Sequence, residues 1–143
     1  MASGQDLVKI AQAESGTKEN GMNNVKYNTW FYGHEVDGSN YPWCAVFVSW
    51  CADKAGITTD IMPKTASAGY FAHYANQGHG EVFTNKNPEA GDLFLINYNG
   101  SDWANHVGIV ASCDGSNITT IEGNSSDMVR SRTLSMSGLT FVH

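Results

Sequence analysis

The feature that most constrains the fold is a change in hydrophobic period part way along the chain. Up to about residue 78 the apolar side chains recur at helical spacing, and from residue 92 they form short runs between turn residues. The first part predicts helices over 6–14, over 42–55, and from Thr65 or Ser67 to a point before Gly78, with a loop over 15–41. The second part predicts strands over 92–96, 106–111, 118–122, 129–134 and 139–142, with turns at 99–100 and 112–117. Helices followed by an antiparallel meander indicate an α+β fold, in which N-terminal helices pack on a C-terminal antiparallel β-sheet.

Length and charge restrict the partners that we expect. The chain has 143 residues, which fits one domain over 1–143, and a formal net charge of −6. That charge argues against binding to nucleic acid or to an anionic membrane, because both need clustered Lys and Arg. No apolar run approaches the roughly 18 residues that span a bilayer, so we expect no membrane insertion. The first residues lack the basic and apolar stretches of a secretory signal, so we expect no signal peptide in this chain.

The chain has three cysteines, and their positions predict different reactivities. Cys44 lies in the first turn of the helix predicted over 42–55, where unpaired N–H groups and the positive end of the helix dipole favour a thiolate. Cys51 and Cys113 are interpreted as small buried hydrophobes. A zinc site is a poor interpretation, because Cys44 and Cys51 stand roughly 10 Å apart along the helix axis. Cys44 is therefore the candidate nucleophile, and we expect neither a metal nor another cofactor.

A nucleophilic cysteine needs a base and a group that orients the base. His106 opens an apolar strand, where a rigid backbone can aim its ring into a cleft. If the strands on either side of the 112–117 turn pair as a hairpin, Glu122 and Asn124 arrive beside His106. A carboxylate or amide there would fix the tautomer and angle of the ring. Asn124 also fits a simple turn residue, because it lies in a Gly-Asn-Ser-Ser sequence.

Four segments in order carry a resemblance to a known family. They read YPWCAVFVSWC over 41–51, GDL over 91–93, NHVGIV over 105–110 and IEGN over 121–124. The chain resembles the CHAP family, the cysteine- and histidine-dependent amidohydrolases/peptidases of the papain-like superfamily. The resemblance runs from about residue 6 to the C-terminus.

The resemblance implies a papain-like CHAP fold and a hydrolytic activity. By that likeness Cys44 attacks an amide carbonyl, His106 moves the proton, Glu122 orients the histidine and Asn124 assists. The implied substrate is bacterial peptidoglycan, cut between muramic acid and L-alanine or within the stem or cross-bridge peptides. Such domains occur in phage endolysins and in wall-remodelling enzymes, which act outside the cytoplasmic membrane and commonly carry a separate wall-binding module.

Several finer points remain expectations or alternatives. Some phage relatives hold calcium just before the cysteine, but residues 34–40 carry only two carboxylates here, so we expect no calcium requirement. The Cys44 N–H and a donor from 27–41 would hold the oxyanion. Aromatic side chains could wall a substrate groove, although packing in the core is an equal reading for each: Tyr32, Tyr41, Trp43 and Trp103. The rival functions are a cysteine amidase acting on a non-wall amide and a non-catalytic wall-binding module.

Overall fold

A computed structural model describes residues 4–84, 86–97, 104–125 and 127–143. The helices are α1 (Gly4–Ala13), α2 (Lys26–Tyr32), α3 (Cys44–Ala55) and α4 (Tyr70–Tyr74), and a π-helical turn, Ala75–His79, follows α4. The strands are β1 (Val82–Phe83), β2 (Leu93–Ile96), β3 (His106–Cys113), β4 (Asn117–Ser125), β5 (Met128–Arg130), β6 (Thr133–Ser135) and β7 (Thr140–Val142). The order of helices and strands confirms the α+β prediction.

The helices differ from their predicted bounds in three places. Helix α3 begins at Cys44 and not at Pro42, because Trp43 is its N-cap residue with non-helical backbone angles. The segment predicted as a loop over 15–41 contains α2, which ends at Gly33 in the left-handed conformation. The third predicted helix starts only at Tyr70, and the π-helical turn after it has non-helical backbone angles at Gln77 and Gly78, so helical geometry ends before Gly78 as predicted. Helix α3 ends as predicted, at Gly56 with a φ of 80°.

The strands form one antiparallel sheet whose order corrects the predicted meander. The path is β1-β7-β2-β3-β4-β5, and β6 also pairs with β4. The C-terminal strand β7 therefore lies between β1, which was not predicted, and β2. The predicted strand 129–134 is two short strands, β5 and β6, that pair separately with β4. The break between them lies at Ser131 and Arg132.

The two faces of the sheet are covered differently. Helices α1 and α3 pack on one face and form the main core with the inward residues of β2, β3 and β4. Gly123 permits this close approach, because a Cβ atom there would stand 2.5 Å from the Cβ of Phe47. Full burial of a side chain such as Phe47 contributes about 1.5–3 kcal/mol. A smaller cluster on the other face comprises Phe83, Phe94, Val110, Ile118 and Phe141.

Among the residues described, no helix has the length and apolar character needed to cross a membrane.

Candidate functional site

The head of helix α3 presents the first element of the site. Cys44 is the first helical residue, and the first backbone bond of the helix runs from the Phe47 N–H to the Trp43 carbonyl at 2.9 Å. The N–H groups that precede this bond have no acceptor within the helix, so they form a donor-rich, electropositive end. Cys44 is 7% exposed. Its thiol therefore sits at a nearly buried helix terminus that favours negative charge.

His106 faces this thiol from the start of strand β3. Its backbone pairs with Ile96 on β2, which fixes the strand end. The ring is in hydrogen-bonding contact with Cys44, and its Nε2 lies 2.7 Å from Oε1 of Glu122. With Nε2 turned to the carboxylate, Nδ1 is the nitrogen left for the sulfur. The structure thus brings together Cys44, His106 and Glu122, in that order.

Glu122 is fully buried and surrounded by donors. Arg132 donates twice to it, from Nε to Oε2 at 2.7 Å and from a terminal nitrogen to Oε1 at 2.5 Å. The Thr120 hydroxyl donates to Oε2 at 2.5 Å. Gly108 makes the space, because a Cβ atom there would stand 2.8 Å from Cγ of Glu122. The carboxylate therefore has partners on both of its oxygens.

These contacts set the charges of the pair. Burial alone would raise the pKa of Glu122, but hydrogen bonds from His106, Arg132 and Thr120 lower it to about 2. Burial alone would lower the pKa of His106, but hydrogen bonds and negative charge at Cys44 and Glu122 raise it to about 9. At neutral pH the site consequently holds an imidazolium between the sulfur and a carboxylate. A cation beside sulfur is the usual means of activating a cysteine.

Asn124 lies at an irregular point of strand β4. Its φ of 58° is left-handed, and the register between β4 and β5 shifts between Glu122 and Ser125. This bulge breaks the alternation from which the prediction placed Asn124 beside His106. Among the described residues, the Asn124 side chain has no hydrogen-bond partner, and Asn124 is half-buried.

The four aromatic candidates for a substrate groove separate into three cases. Tyr32 and Tyr41 are half-buried, and their rings meet edge to face with centroids 5.1 Å apart. Trp43 corrects the prediction, because it is fully buried, stacks on Tyr27 and donates from its indole to Glu19 at 2.7 Å. Trp43 is thus a core residue. Trp103 lies outside the described residues, as does the predicted 99–100 turn.

Of the remaining cysteines, Cys51 matches its interpretation as a small buried hydrophobe, and Cys113 is buried only in part. All three cysteines are free thiols. Cys51 is fully buried in α3, and burial raises the pKa of its thiol well above the ordinary value. Cys113 is half-buried at the end of β3, with its sulfur 3.4 Å from the sulfur of Met136. Neither has the histidine partner that Cys44 has in the described part of the chain.

Sequence reasoning missed Arg132 and Thr120. The pattern over 129–134 read as a continuous strand, in which Arg132 was one polar residue among others. A usable signal existed, because a carboxylate placed in an apolar strand must be paired with a donor or a cation. The β5–β6 break that turns Arg132 toward Glu122 left no mark in the hydrophobic pattern.

One group among the described residues could hold a metal ion, away from Cys44. Candidate ligand atoms of Glu89, Asp92 and His143 lie within 4.8 Å of one another. A hydrogen bond of 2.6 Å between His143 and Asp92 accounts for part of this grouping. The group borders a cavity of about 580 Å³ that Leu7 and Ile57 also line. Neither Cys44 nor His106 lines that cavity.

Comparison with known proteins bears on the family and the fold. The CHAP domain family model matches residues 36–124, more than half of the chain. Two solved structures are similar to it: "The crystal structure of Ly7917", at 15% identity and a TM-score of 0.59, and "The crystal structure of Ly7917 with the hydrolyzing product of MDP", at 17% and 0.61. Each comparison covers 98% of this chain and 62% of the Ly7917 chain, and at these identities it shows the fold. Among curated proteins, none matches this sequence. The segment matched by the family runs from before Cys44 to Asn124, and the chain belongs to the CHAP domain family.

Proposed function

We propose that this chain hydrolyses an amide bond of bacterial peptidoglycan by thiolate acyl transfer. The observation that carries the proposal is the contact series Cys44–His106–Glu122 at the head of α3. Family membership adds support, and so does the structural neighbour that was solved with the hydrolysing product of MDP, a peptidoglycan fragment. The bond is either the one between muramic acid and L-alanine or one within the stem or cross-bridge peptides.

The first half of the reaction forms a thioester. The Cys44 sulfur attacks the amide carbon, a C–S bond forms, and the carbonyl electrons move to oxygen. The Cys44 N–H, at the electropositive end of α3, donates to that oxyanion, and we keep the expectation of a second donor from 27–41. His106 then gives its proton to the amide nitrogen, the C–N bond breaks, and the amine leaves.

The second half releases the acid. Neutral His106 takes a proton from water, whose oxygen attacks the thioester carbon. The C–S bond breaks and Cys44 regains its negative charge, while the acyl group leaves as a carboxylic acid. Glu122 stays ionised throughout, because its pKa of about 2 lies far below neutral pH. The balance is amide plus water giving acid plus amine, with no oxidant or reductant.

The setting of the enzyme is part of the proposal. We propose that the chain works as one catalytic domain outside the cytoplasmic membrane, where peptidoglycan is found. The chain spans 62% of the length of the Ly7917 structures, so a longer native protein with a separate wall-binding module is consistent with the comparison. Tyr32 and Tyr41 are the described aromatic residues that we retain as groove candidates, and Asn124 is retained as an assisting residue.

The test is digestion of purified peptidoglycan sacculi by the wild type, Cys44→Ala and Cys51→Ala. Cys51→Ala is the matched control, because it removes a thiol from the same helix without touching His106. We expect the wild type and Cys51→Ala to clear the suspension and Cys44→Ala to leave it turbid, with circular dichroism confirming that all three are folded. Mass spectrometry of the new amino and carboxyl ends identifies the bond.

Other outcomes select the rival functions. If no variant releases fragments from several wall types but Cys44 reacts rapidly with iodoacetamide, the substrate is a different amide. If Cys44 is also unreactive and the protein still co-sediments with sacculi, it is a binding module. A parallel digestion with a chelator checks the calcium expectation, which predicts unchanged clearance.

A further inference from the structure

Arg132 is attached to the buried carboxylate more firmly than a surface ion pair would require. Its guanidinium donates to both oxygens of Glu122. Its backbone is held as well, since its carbonyl accepts from the Thr120 N–H at 2.8 Å and its N–H donates to the Thr120 hydroxyl at 3.1 Å. Thr120 in turn donates to Glu122. Strand β4 and Arg132 therefore form a closed set of contacts around one carboxylate.

This arrangement suits a guanidinium and no other side chain. The planar fork of Arg matches the two oxygens of a carboxylate, whereas Lys presents a single point charge. Glu122 is fully buried, and without Arg132 only His106 and Thr120 would oppose its tendency to take up a proton or rotate toward solvent. A protonated or rotated Glu122 could not hold Nε2 of His106.

We propose that Arg132 is a positioning residue, which holds the Glu122 carboxylate against His106 and so fixes the ring that serves Cys44. The proposal rests on the proposed function for its catalytic meaning. Its physical content, a carboxylate held and kept ionised by Arg132, can be measured without a substrate.

The charged groups around Glu122 come from each element that packs against it. His106 faces it from β3, with Cys44 of α3 behind the ring. Arg132 faces it from the segment between β5 and β6. Arg130 of β5 is its register partner, but the Arg130 Nε donates to the Ser125 hydroxyl at 2.8 Å. Arg130→Met is therefore a matched control, because it removes a neighbouring guanidinium that is bonded elsewhere.

The first readout is hydrolysis by Arg132→Met, Arg132→Lys and Arg130→Met. We expect Arg132→Met to lower kcat by about 10- to 100-fold, the usual effect of losing charge-assisted hydrogen bonds behind a reacting group. Arg132→Lys keeps the charge and loses the fork, so it should recover part of that loss. Arg130→Met should stay close to the wild type. KM should change little, because Arg132 touches the carboxylate and not the substrate.

The second readout is the Glu122 carboxyl carbon, followed by carbon-13 NMR during a pH titration and assigned with Glu122→Gln. In the wild type its midpoint should lie near 2. In Arg132→Met we expect the midpoint to rise by about one unit or more, because burial then acts with less opposition. Arg132→Lys should fall between the two. Arg130→Met should match the wild type.

The two readouts distinguish failure of the proposed function from failure of the Arg132 proposal. If the wild type digests no wall polymer, the proposed function is wrong, yet the NMR midpoint still tests Arg132. A folded Arg132→Met protein with an unshifted Glu122 midpoint would overturn the positioning role, even if its activity fell. If Arg132→Met does not fold, the same comparison is made with Arg132→Lys, and an unshifted midpoint there would also contradict the proposal.

Discussion

Two histidine–carboxylate contacts in the described part of the chain are almost equal in length but differ in the exposure of the histidine and in the third partner. His106 and Glu122 are 2.7 Å apart, with side chains 10% and 0% exposed. His143 and Asp92 are 2.6 Å apart, but the side chain of His143 is 57% exposed. The distance between ring and carboxylate therefore says little about chemistry. Burial and the third partner distinguish the two pairs.

The two histidines differ in the residue that each contacts besides its carboxylate. On the far side of its ring His106 contacts Cys44, so the carboxylate, imidazolium and sulfur form a series at a helix N-terminus. His143 has Glu89 as its other acidic neighbour, at 3.6 Å, and that side chain is 76% exposed. A second carboxylate beside His143 is not a thiol that the histidine could activate. The first pair stands beside a thiol, as the proposed attack requires, whereas the second joins a half-exposed histidine to a buried carboxylate.

The largest effect should come from changing the two histidines in the same way. His106→Gln removes the proton carrier, so we expect hydrolysis of sacculi to fall by at least about 1,000-fold. His143→Gln should leave the rate within about twofold, because the half-exposed His143 ring has no thiol beside it. The measurement is the rate of hydrolysis of purified walls by the two variants and the wild type, compared under the same conditions. Equal losses in the two variants would remove the distinction drawn between the pairs.

The next largest effect should separate the two carboxylates. Glu122→Gln keeps the shape of the side chain but removes the charge that orients and stabilises the imidazolium, so we expect kcat to fall by roughly 100-fold or more. Asp92→Asn alters the other pair and should leave kcat nearly unchanged in the folded protein. Comparison of kcat at saturating substrate checks both. An active Glu122→Gln enzyme would contradict the orienting role.

Much of this site could be predicted from the sequence, because the strongest patterns lie around it. The apolar segment after Pro42 predicted α3, and the alternation on either side of the 112–117 turn predicted the hairpin that brings Glu122 to His106. What the sequence pattern could not predict depends on departures from regular geometry. Asn124 adopts a left-handed conformation at a bulge, which no alternation pattern reveals.

Other failures have equally local causes. Helix α2 has seven residues and little amphipathic pattern, and it is stabilised by packing, with Tyr27 fully buried against α3 residues. Strand β1 has two residues, too few to show a period. Trp43 stands next to the cysteine in sequence, but the start of α3 directs its side chain into the core. The position of Trp43 next to Cys44 in the sequence therefore did not place its side chain in the predicted substrate groove.

A smaller effect should appear in the pH dependence of stability. The pKa of His106 is raised from 6.5 to about 9, so its stabilising contribution is complete below pH 6.5 and is lost as the pH rises toward 9. We expect the free energy of unfolding to fall by on the order of 1–3 kcal/mol across that window. Urea melts of the wild type and His106→Gln measure it. His143, whose pKa is also raised, is too exposed to contribute much.

Glu122 determines how stability changes on the acid side of the pH range. Its pKa is lowered from 4.5 to about 2, so its contribution is present above pH 4.5 and is lost as the pH falls toward 2. Glu122→Gln should therefore flatten the acid side of the stability curve, and His106→Gln the alkaline side. A curve of unchanged shape in both variants would mean that the buried pair is not ionised in the folded protein.

The smallest effect concerns the space around the pair. A Cβ atom at Gly108 would stand 2.5 Å from the Phe94 ring and 2.8 Å from Glu122. Gly108→Ala should cost about 1–3 kcal/mol of stability and displace the carboxylate, so hydrolysis should fall as well. Thermal melts and rates check this. An Ala variant with full stability and full activity would show that the packing behind Glu122 is looser than described.

Site-resolved alkylation tests, without a substrate, whether His106 activates Cys44. Limited iodoacetamide treatment at neutral pH, followed by peptide mass spectrometry, gives one rate for each of the three cysteines. We expect Cys44 to react faster than Cys51 and Cys113, His106→Gln to slow it by about tenfold or more, and His143→Gln to leave its rate unchanged. A Cys44 that reacts no faster than Cys113, or whose rate ignores His106, would contradict this activation.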